Sequence, residues 1–486
     1  MIEEIVLRKR KELVMITLSQ ESNHLQKQDW DEELAYLLKE KACELARETG
    51  FVKRKSPITG AVFAQTLIFG FLSQPEASYT QLQQMMAMQA VTVSAQALEK
   101  RMSKAAATFM QRLLEAMMGI CVSSEPVCVE VLRRFNGVYL QDGTVIGLPH
   151  ELEEEWQGFG GNTEKSGRSA LNAQVRLNLS TGGMQGPWLQ DARTCEREGA
   201  GSLEQTPLPK GALWLTDTGF FTIKTMRQMD ADGRYWLNYA KADLRIIDHR
   251  GVKYSLPQYL AAQGTDHIDK MVTIGVREQL PCRLIALRVS EEAAEQRSKR
   301  ANKNTKVREK GSRRDICVGK KRKPPKDGRK HHRPSPKRLQ LAEWTILLTN
   351  VPAELLSGHE ARVLMRARWQ IELMWRLWKE RGQVDIWRSE KPMRILCEVY
   401  AKLMAMVLQH WLTLLGCWDN PHRSIVKAAQ AVQLLAPSMV LSLTGLFSFK
   451  SLLLVSARMM QRASLNSRAK RPNTSQLLVD PACWSP

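Results

Sequence analysis

Nothing in this sequence looks like a disulfide framework or a zinc site. Its nine cysteines are scattered, no two form a C-x-x-C, and no Cys/His set has zinc-ligand spacing. An odd, dispersed set in a long chain points to reduced, mostly buried thiols in a cytosolic setting. His331 and His332, inside a basic tract, do not change that expectation. No uninterrupted apolar run is long enough to span a bilayer, and the best one, SMVLSLTGLFSF, stops at Lys450. The N-terminus MIEEIVLRKRKEL lacks a long apolar stretch after its charges, so no signal peptide is expected. These absences lead to the expectation of a soluble, cytoplasmic protein with no membrane partner.

Acidic residues are also in short supply. There are 50 Asp and Glu against 71 Lys and Arg, a formal net charge of +21. The excess is local. Residues 297–338 hold 19 Lys and Arg and 3 Asp and Glu, a net of +16, which leaves only +5 for the other 444 residues. The segment RSKRANKNTKVREKGSRRDICVGKKRKPPKDGRKHHRPSPKR has too few apolar residues to bury itself, so a mobile arm is expected. Its natural partner is a polyanion. Nucleic acid fits better than anionic lipid, because no amphipathic apolar face accompanies the charge. A solvated loop that only aids solubility remains the alternative.

At 486 residues, with 43% hydrophobic side chains, the chain is long enough for two to four domains. Residues 1–130 read as helical: DEELAYLLKEKACELARETG ends on Gly50, ITGAVFAQTLIFGFL is a buried helix, and two more follow Ser78 and Ser94 as N-caps. Such a region suits a DNA-binding domain or a plain helical bundle. From about residue 131 to 242 the pattern becomes a mixed α/β sheet. GVYLQDGTVIGLP is a strand. SALNAQVRLNLSTGG is a half-buried strand, MQGPWLQDA has Pro187 hinting at an edge, and GALWLTD, a helix and RYWLNYA follow. Residues 243–342 read as a β-rich insertion carrying the basic arm. Residues 343–415 return to the sheet through EWTILLTNVP and then become helical, and 416–486 are weaker helices with a disordered tail, RAKRPNTSQLLVDPACWSP.

Three acids stand out by placement. Asp142 lies within the first strand, Asp217 at the end of LWLT, and Glu372 on the helix after the last strand. Strand ends of α/β sheets are where reactive groups gather. At 100° per residue, Met365, Arg368, Glu372, Arg376 and Lys379 fall within about 80° on one continuous helix. One carboxylate among three cations suits a phosphate held near a metal. Mg²⁺ takes a few carboxylates plus waters and phosphate oxygens, which two Asp and one Glu can supply. Each acid also has an ordinary reading: a turn at Asp142-Gly143, a helix cap at Asp217, a helix ion pair between Glu372 and Arg368 or Arg376.

Taken together, Arg368-x3-Glu372-x6-Lys379 resembles the tyrosine–arginine–glutamate–lysine signature of insertion-sequence-4-type transposases, members of the DDE group. QDGT around Asp142 and LTDTGF around Asp217 resemble that family's first two acidic motifs, and the likeness covers roughly residues 36 to 415. It departs at Met365, where the family has Tyr, a residue able to hydrogen-bond a phosphate.

The resemblance implies a ribonuclease H-like mixed-sheet core with the β-rich insertion, and an acidic triad of Asp142, Asp217 and Glu372 binding two divalent ions, Mg²⁺ with Mn²⁺ able to substitute. It further implies metal-dependent cleavage of double-stranded DNA at transposon ends, a hairpin, and strand transfer to target DNA. Arg368 and Lys379 would contact terminal phosphates, with Arg376 beside them. Trp344 would stack an unpaired base or else be a core aromatic. The N-terminal helices would read the terminal inverted repeat, and a homodimer would hold two ends. The rival readings are a catalytically inactive, transposase-derived DNA-binding protein, for which Met365 is the support, and a ribonuclease H-like nuclease without strand transfer.

Overall fold

The structure is a computed structural model. It describes residues 30–120, 122–124, 126–159, 168–299, 340–418, 420, 422–446, 448–463 and 474–479. The expected basic arm beyond residue 299 and most of the C-terminal tail lie outside the described residues. The chain divides into two compact units: residues up to 133 with 137–208 and 369–479, and residues 134–136 with 209–368.

The first unit begins with helices. Helix α1 (Trp30–Tyr36) passes through a π-helical turn at Leu37–Lys41 into α2 (Ala42–Glu48). Helices α3 (Gly60–Ser73), α4 (Tyr79–Ala87), α5 (Ala95–Arg101) and α6 (Lys104–Met118) follow. Thr59, Ser78, Ser94 and Ser103 each accept a backbone N–H three residues on, which satisfies a donor the helix leaves open. Helix α3 is buried along most of its length because its apolar residues face every side. It can approach α2 only because Gly60 has no side chain: a Cβ there would lie 2.2 Å from the Ala42 carbonyl oxygen. Phe51 stacks on Phe109 at 5.3 Å and tilts against Phe63 at 4.6 Å, closing this core.

After the short α7 (Glu130–Arg133), strands β1 (Val138–Leu148), β2 (Ser169–Asn178) and β3 (Met184–Asp191) pair antiparallel in the order β3-β2-β1. The expectation of a half-buried β2 is corrected: β2 is buried on both faces as far as Leu177. Ala173, Val175 and Leu177 share the apolar face, and Asn172, Gln174 and Arg176 fill the other. Arg176 is tolerated there because its guanidinium donates to Gln141 Oε1 at 3.0 Å and to the carbonyls of Gly201 at 3.0 Å and Thr206 at 2.8 Å. Trp188 lies 5.4 Å from that guanidinium.

The second unit is a mixed α/β layer. Strand β4 (Leu213–Thr216), helix α8 (Ile223–Ala231) and strand β5 (Tyr235–Tyr239) form a βαβ unit with parallel strands. Strands β6 (Arg245–Ile247) and β7 (Lys253–Ser255), helix α9 (Leu256–Gln263), and strands β8 (His267–Ile274) and β9 (Leu280–Arg288) follow. Residues 291–299 are helical. Strand β10 (Trp344–Thr349) and helix α10 (Gly358–Ala367) complete the unit. Its strand order is β4-β5-β10-β9-β8-β6-β7, so the strands of 245–288 extend the sheet beyond β10. Arg283 is buried against β8, with its fork on both Asp269 oxygens at 2.6 Å and one nitrogen on the Leu356 carbonyl at 2.6 Å.

The chain then returns to the first unit through α11 (Trp369–Glu380), α12 (Pro392–Cys417), α13 (Ile425–Leu443), α14 (Phe449–Ala463) and α15 (Thr474–Val479). Helix α12 packs on α3 and α6. Segments Pro392–Leu414 and Ile425–Leu443 have the length and hydropathy to cross a bilayer, a property hidden from a search for unbroken apolar letters. The window in the first is 94% buried within the structure, as a core helix would be. A second correction concerns the tail, where Thr474–Val479 is helical, not disordered.

Candidate active site

Strand β1 carries Asp142 because the letters around it are strand formers. Val138, Leu140, Ile146 and Leu148 are buried on the face that Asp142 shares, and Asp142 itself is half-buried opposite Val175 of β2. The strand runs through Asp142-Gly143 without a turn, which removes the turn reading.

Helix α11 packs against β1 in the same unit. Ile371, Met374, Trp375, Leu377 and Trp378 anchor it, with the two indoles edge to face at 5.0 Å. Glu372 is half-buried in the first turn, where a carboxylate meets the positive end of the helix dipole. At the other end, the Lys379 ammonium donates to the Val145 carbonyl at 3.2 Å and lies 3.9 Å from Asp385. Glu372 and Asp142 therefore lie on two packed elements of one unit.

Asp217 belongs to the other unit. It is the first residue past β4 and is exposed. Its Oδ1 accepts the Thr218 N–H at 2.7 Å, and its carbonyl closes a turn with the Phe220 N–H at 3.0 Å. It does not cap the next helix. Thr222 does, by accepting from the Thr225 N–H. Asp217 is thus held at a strand end by a tight turn. Among the described residues, no group of three or more His, Cys, Asp or Glu side chains is placed to hold a metal ion. The donor chemistry itself, three carboxylates, is that of a hard divalent cation.

The expected single helix face is corrected in two ways. The run breaks at Arg368, which separates α10 from α11 while keeping αR dihedrals. Met365 does not join the cationic face: it is 2% exposed, packed in the core with Val363, Leu364 and Ala367. Arg368 is half-buried and Arg376 exposed. Trp344 opens β10 half-buried, with the Arg288 guanidinium 5.7 Å from its ring. Arg288 in turn bridges Asp266 at 3.0 Å and Glu343 at 2.9 Å. Trp344, Arg288, Asp266 and Glu343 line a hollow of about 480 Å³.

One residue escaped the sequence reading. Trp369 is 48% exposed on the first turn of α11, with the Arg376 guanidinium 5.7 Å from its ring. The signal was present, since three residues at 100° each place Trp369 about 60° from Glu372.

A family model described as a transposase DDE domain matches residues 133–408, a span that contains Asp142, Asp217 and Glu372. The chain is similar to the transposase for insertion sequence element IS231F of Bacillus thuringiensis subsp. israelensis, at 27% identity over 404 residues covering 77% of each chain. It is similar to the transposase for IS231B of Bacillus thuringiensis subsp. berliner, at 24% over 392 residues and 75% of each chain. It also resembles the transposase for IS1151 of Clostridium perfringens, at 23% over 389 residues, covering 75% of this chain and 76% of the relative.

Proposed function

Because the chain belongs to the transposase DDE-domain family, whose model covers more than half of it, we propose that it is an insertion-sequence transposase of the insertion-sequence-4 type with a ribonuclease H-like core. Its reaction is cleavage of the phosphodiester at each transposon end to leave a 3′-hydroxyl. That hydroxyl attacks the opposite strand, giving a hairpin and releasing the flanking DNA; a water then opens the hairpin and restores the 3′-hydroxyl, which attacks target DNA.

The observation that carries this reading is the tether between Lys379 and Val145. Seven helical residues separate Lys379 from Glu372, about 10 Å, and three strand residues separate Val145 from Asp142, also about 10 Å. The equal spans allow the Glu372 carboxylate to lie level with that of Asp142.

DDE domains work with divalent metal. Here Asp142, Asp217 and Glu372 are the residues that would hold it, as Mg²⁺ with Mn²⁺ as a substitute. When bound it supplies Lewis acidity at the scissile phosphate. Lys379 and Arg368 supply positive charge to terminal phosphates, Lys as a point charge and Arg as a fork. Arg376 adds charge on the solvent side of α11. Trp344 stacks a base freed from the duplex next to the cut, from its position above Arg288. The helices α1 to α6 read the inverted repeat, the basic arm grips backbone, and two copies act as a homodimer on paired ends, in the cytoplasm. With Met365 in the core, its difference from Tyr at that position bears on packing as well as on phosphate contact.

The test is cleavage of DNA carrying the element's own ends, with Mg²⁺, by the wild-type chain and by Asp142→Asn, Asp217→Asn and Glu372→Gln. Each substitution should lower cleavage by about a hundredfold or more while end binding persists. A wild-type chain that binds ends but never cuts would favour the inactive, DNA-binding reading. One that cuts but never joins a 3′-hydroxyl to a second duplex would favour the plain nuclease.

A further inference from the structure

The two neighbours of Asp142 on β1 point away from it. Successive strand residues alternate between faces, so Gln141 and Gly143 lie on the sheet face opposite Asp142. The chain that follows β3, residues 192–206, crosses that opposite face and meets both of them. On one side, Gln141 is 1% exposed and both ends of its amide are held. Its Oε1 accepts from Arg176 Nε at 3.0 Å, and its Nε2 donates to the Gly201 carbonyl at 2.7 Å. Arg176 donates to the same Gly201 carbonyl at 3.0 Å and to that of Thr206 at 2.8 Å. On the other side, Glu196 Oε1 accepts from Asn172 Nδ2 at 3.1 Å and stands over Gly143, where a Cβ would collide with it. Gly201 comes this close because it lacks a side chain: a Cβ there would lie 2.7 Å from the Trp188 ring.

Stability alone does not account for this layer. Apolar side chains of similar volume would fill it at a lower desolvation cost. The layer also leaves Asn172 Oδ1 and Gln174 Nε2 buried with no hydrogen-bond partner among the described residues. What a connected, buried hydrogen-bond network does supply is rigidity. A strand held at the residues before and after a given position cannot roll, so the side chain at that position keeps one direction. Here that position is Asp142. In a reacting geometry, a misplacement of about 1 Å is enough to cost about a hundredfold in rate.

We propose that residues 196–206 form a clasp behind β1, and that Gln141, gripped by Arg176 and the Gly201 carbonyl, is a positioning residue that sets the direction of the Asp142 carboxylate. This rests on the transposase reading for the role of Asp142.

The test uses the full chain and DNA carrying the element's own ends. End affinity, single-turnover cleavage in Mg²⁺ and urea unfolding are measured side by side. Gln141→Met keeps the length of the side chain and removes both of its polar contacts. Gly201→Ala lifts the clasp without altering β1. Each should slow cleavage by about ten- to a hundredfold while end affinity and the folded state persist. Because both release the same contact, the double variant should be no slower than the slower single one. Cleavage at the wild-type rate by Gln141→Met overturns the proposal. So does a loss of cleavage matched by a loss of end binding, which marks a merely structural role, and so do losses that multiply in the double variant. Failure of the transposase reading looks different: there the wild-type chain itself binds ends and never cuts them.

Discussion

The Lys379 ammonium donates to the Val145 carbonyl oxygen at 3.2 Å, which ties the last turn of the helix bearing Glu372 to the strand bearing Asp142. The same ammonium stands 3.9 Å from Asp385, just beyond the helix. One lysine is therefore both a fastener between two acid-bearing elements and a positive charge beside them.

Lys379→Met should separate the two roles. Loss of a part-exposed hydrogen bond should cost about 1 kcal/mol of stability, read by urea unfolding. Loss of a charged phosphate contact should slow cleavage by roughly ten- to a hundredfold. An unchanged cleavage rate would leave Lys379 as a fastener only.

A buried ion pair on α12 offers a second test. Lys402 is 1% and Glu398 4% exposed, 2.9 Å apart, and Lys402 also donates to the Ile386 carbonyl at 2.7 Å. Lys402→Met strands a carboxylate in the core and should cost roughly 3–5 kcal/mol. Glu398→Leu/Lys402→Met removes both charges and should recover most of that loss in the same urea titration. If the double variant is no more stable than the single one, the Ile386 contact matters more than the pair.

His410 sets an acid limit on the first unit. Its Nε2 donates to the Gly182 carbonyl at 2.9 Å. Burial holds the ring below its ordinary 6.5, the Gly182 bond opposes this, and Arg423 adds to it. A depressed folded value means that the unfolded chain binds the proton more readily. The stability from this group is thus complete above pH 6.5 and falls away as pH drops from 6.5 toward the depressed value. His410→Gln should flatten the fall in unfolding free energy over that window. An identical pH profile in the variant would assign the acid sensitivity to other groups.

Much of this was legible from the letters. The apolar, β-branched flanks of Asp142 and the run LWLT before Asp217 mark strands whatever the tertiary context, and both strands are there. Ser78 and Ser94 stand one residue before their helices, as small hydroxyl residues do where open N–H groups need an acceptor. Periodicity failed where a tertiary neighbour decides. Arg176 reads as a solvent-facing letter, yet it is buried because the carbonyls of Gly201 and Thr206, far along the chain, come to meet it. Met365 falls on the cationic face by angle, but the helix is interrupted at Arg368 and α10 packs on β10 and β5.

Strand β3 ends the strand order of the first unit, and its Pro187 has no N–H to offer an incoming strand. In the second unit, β7 ends the strand order and is only three residues long. Neither margin is a template for ribbon-like growth from one molecule to the next. A strongly basic, sheet-rich chain thus keeps backbone pairing with other chains in check at both of these strands.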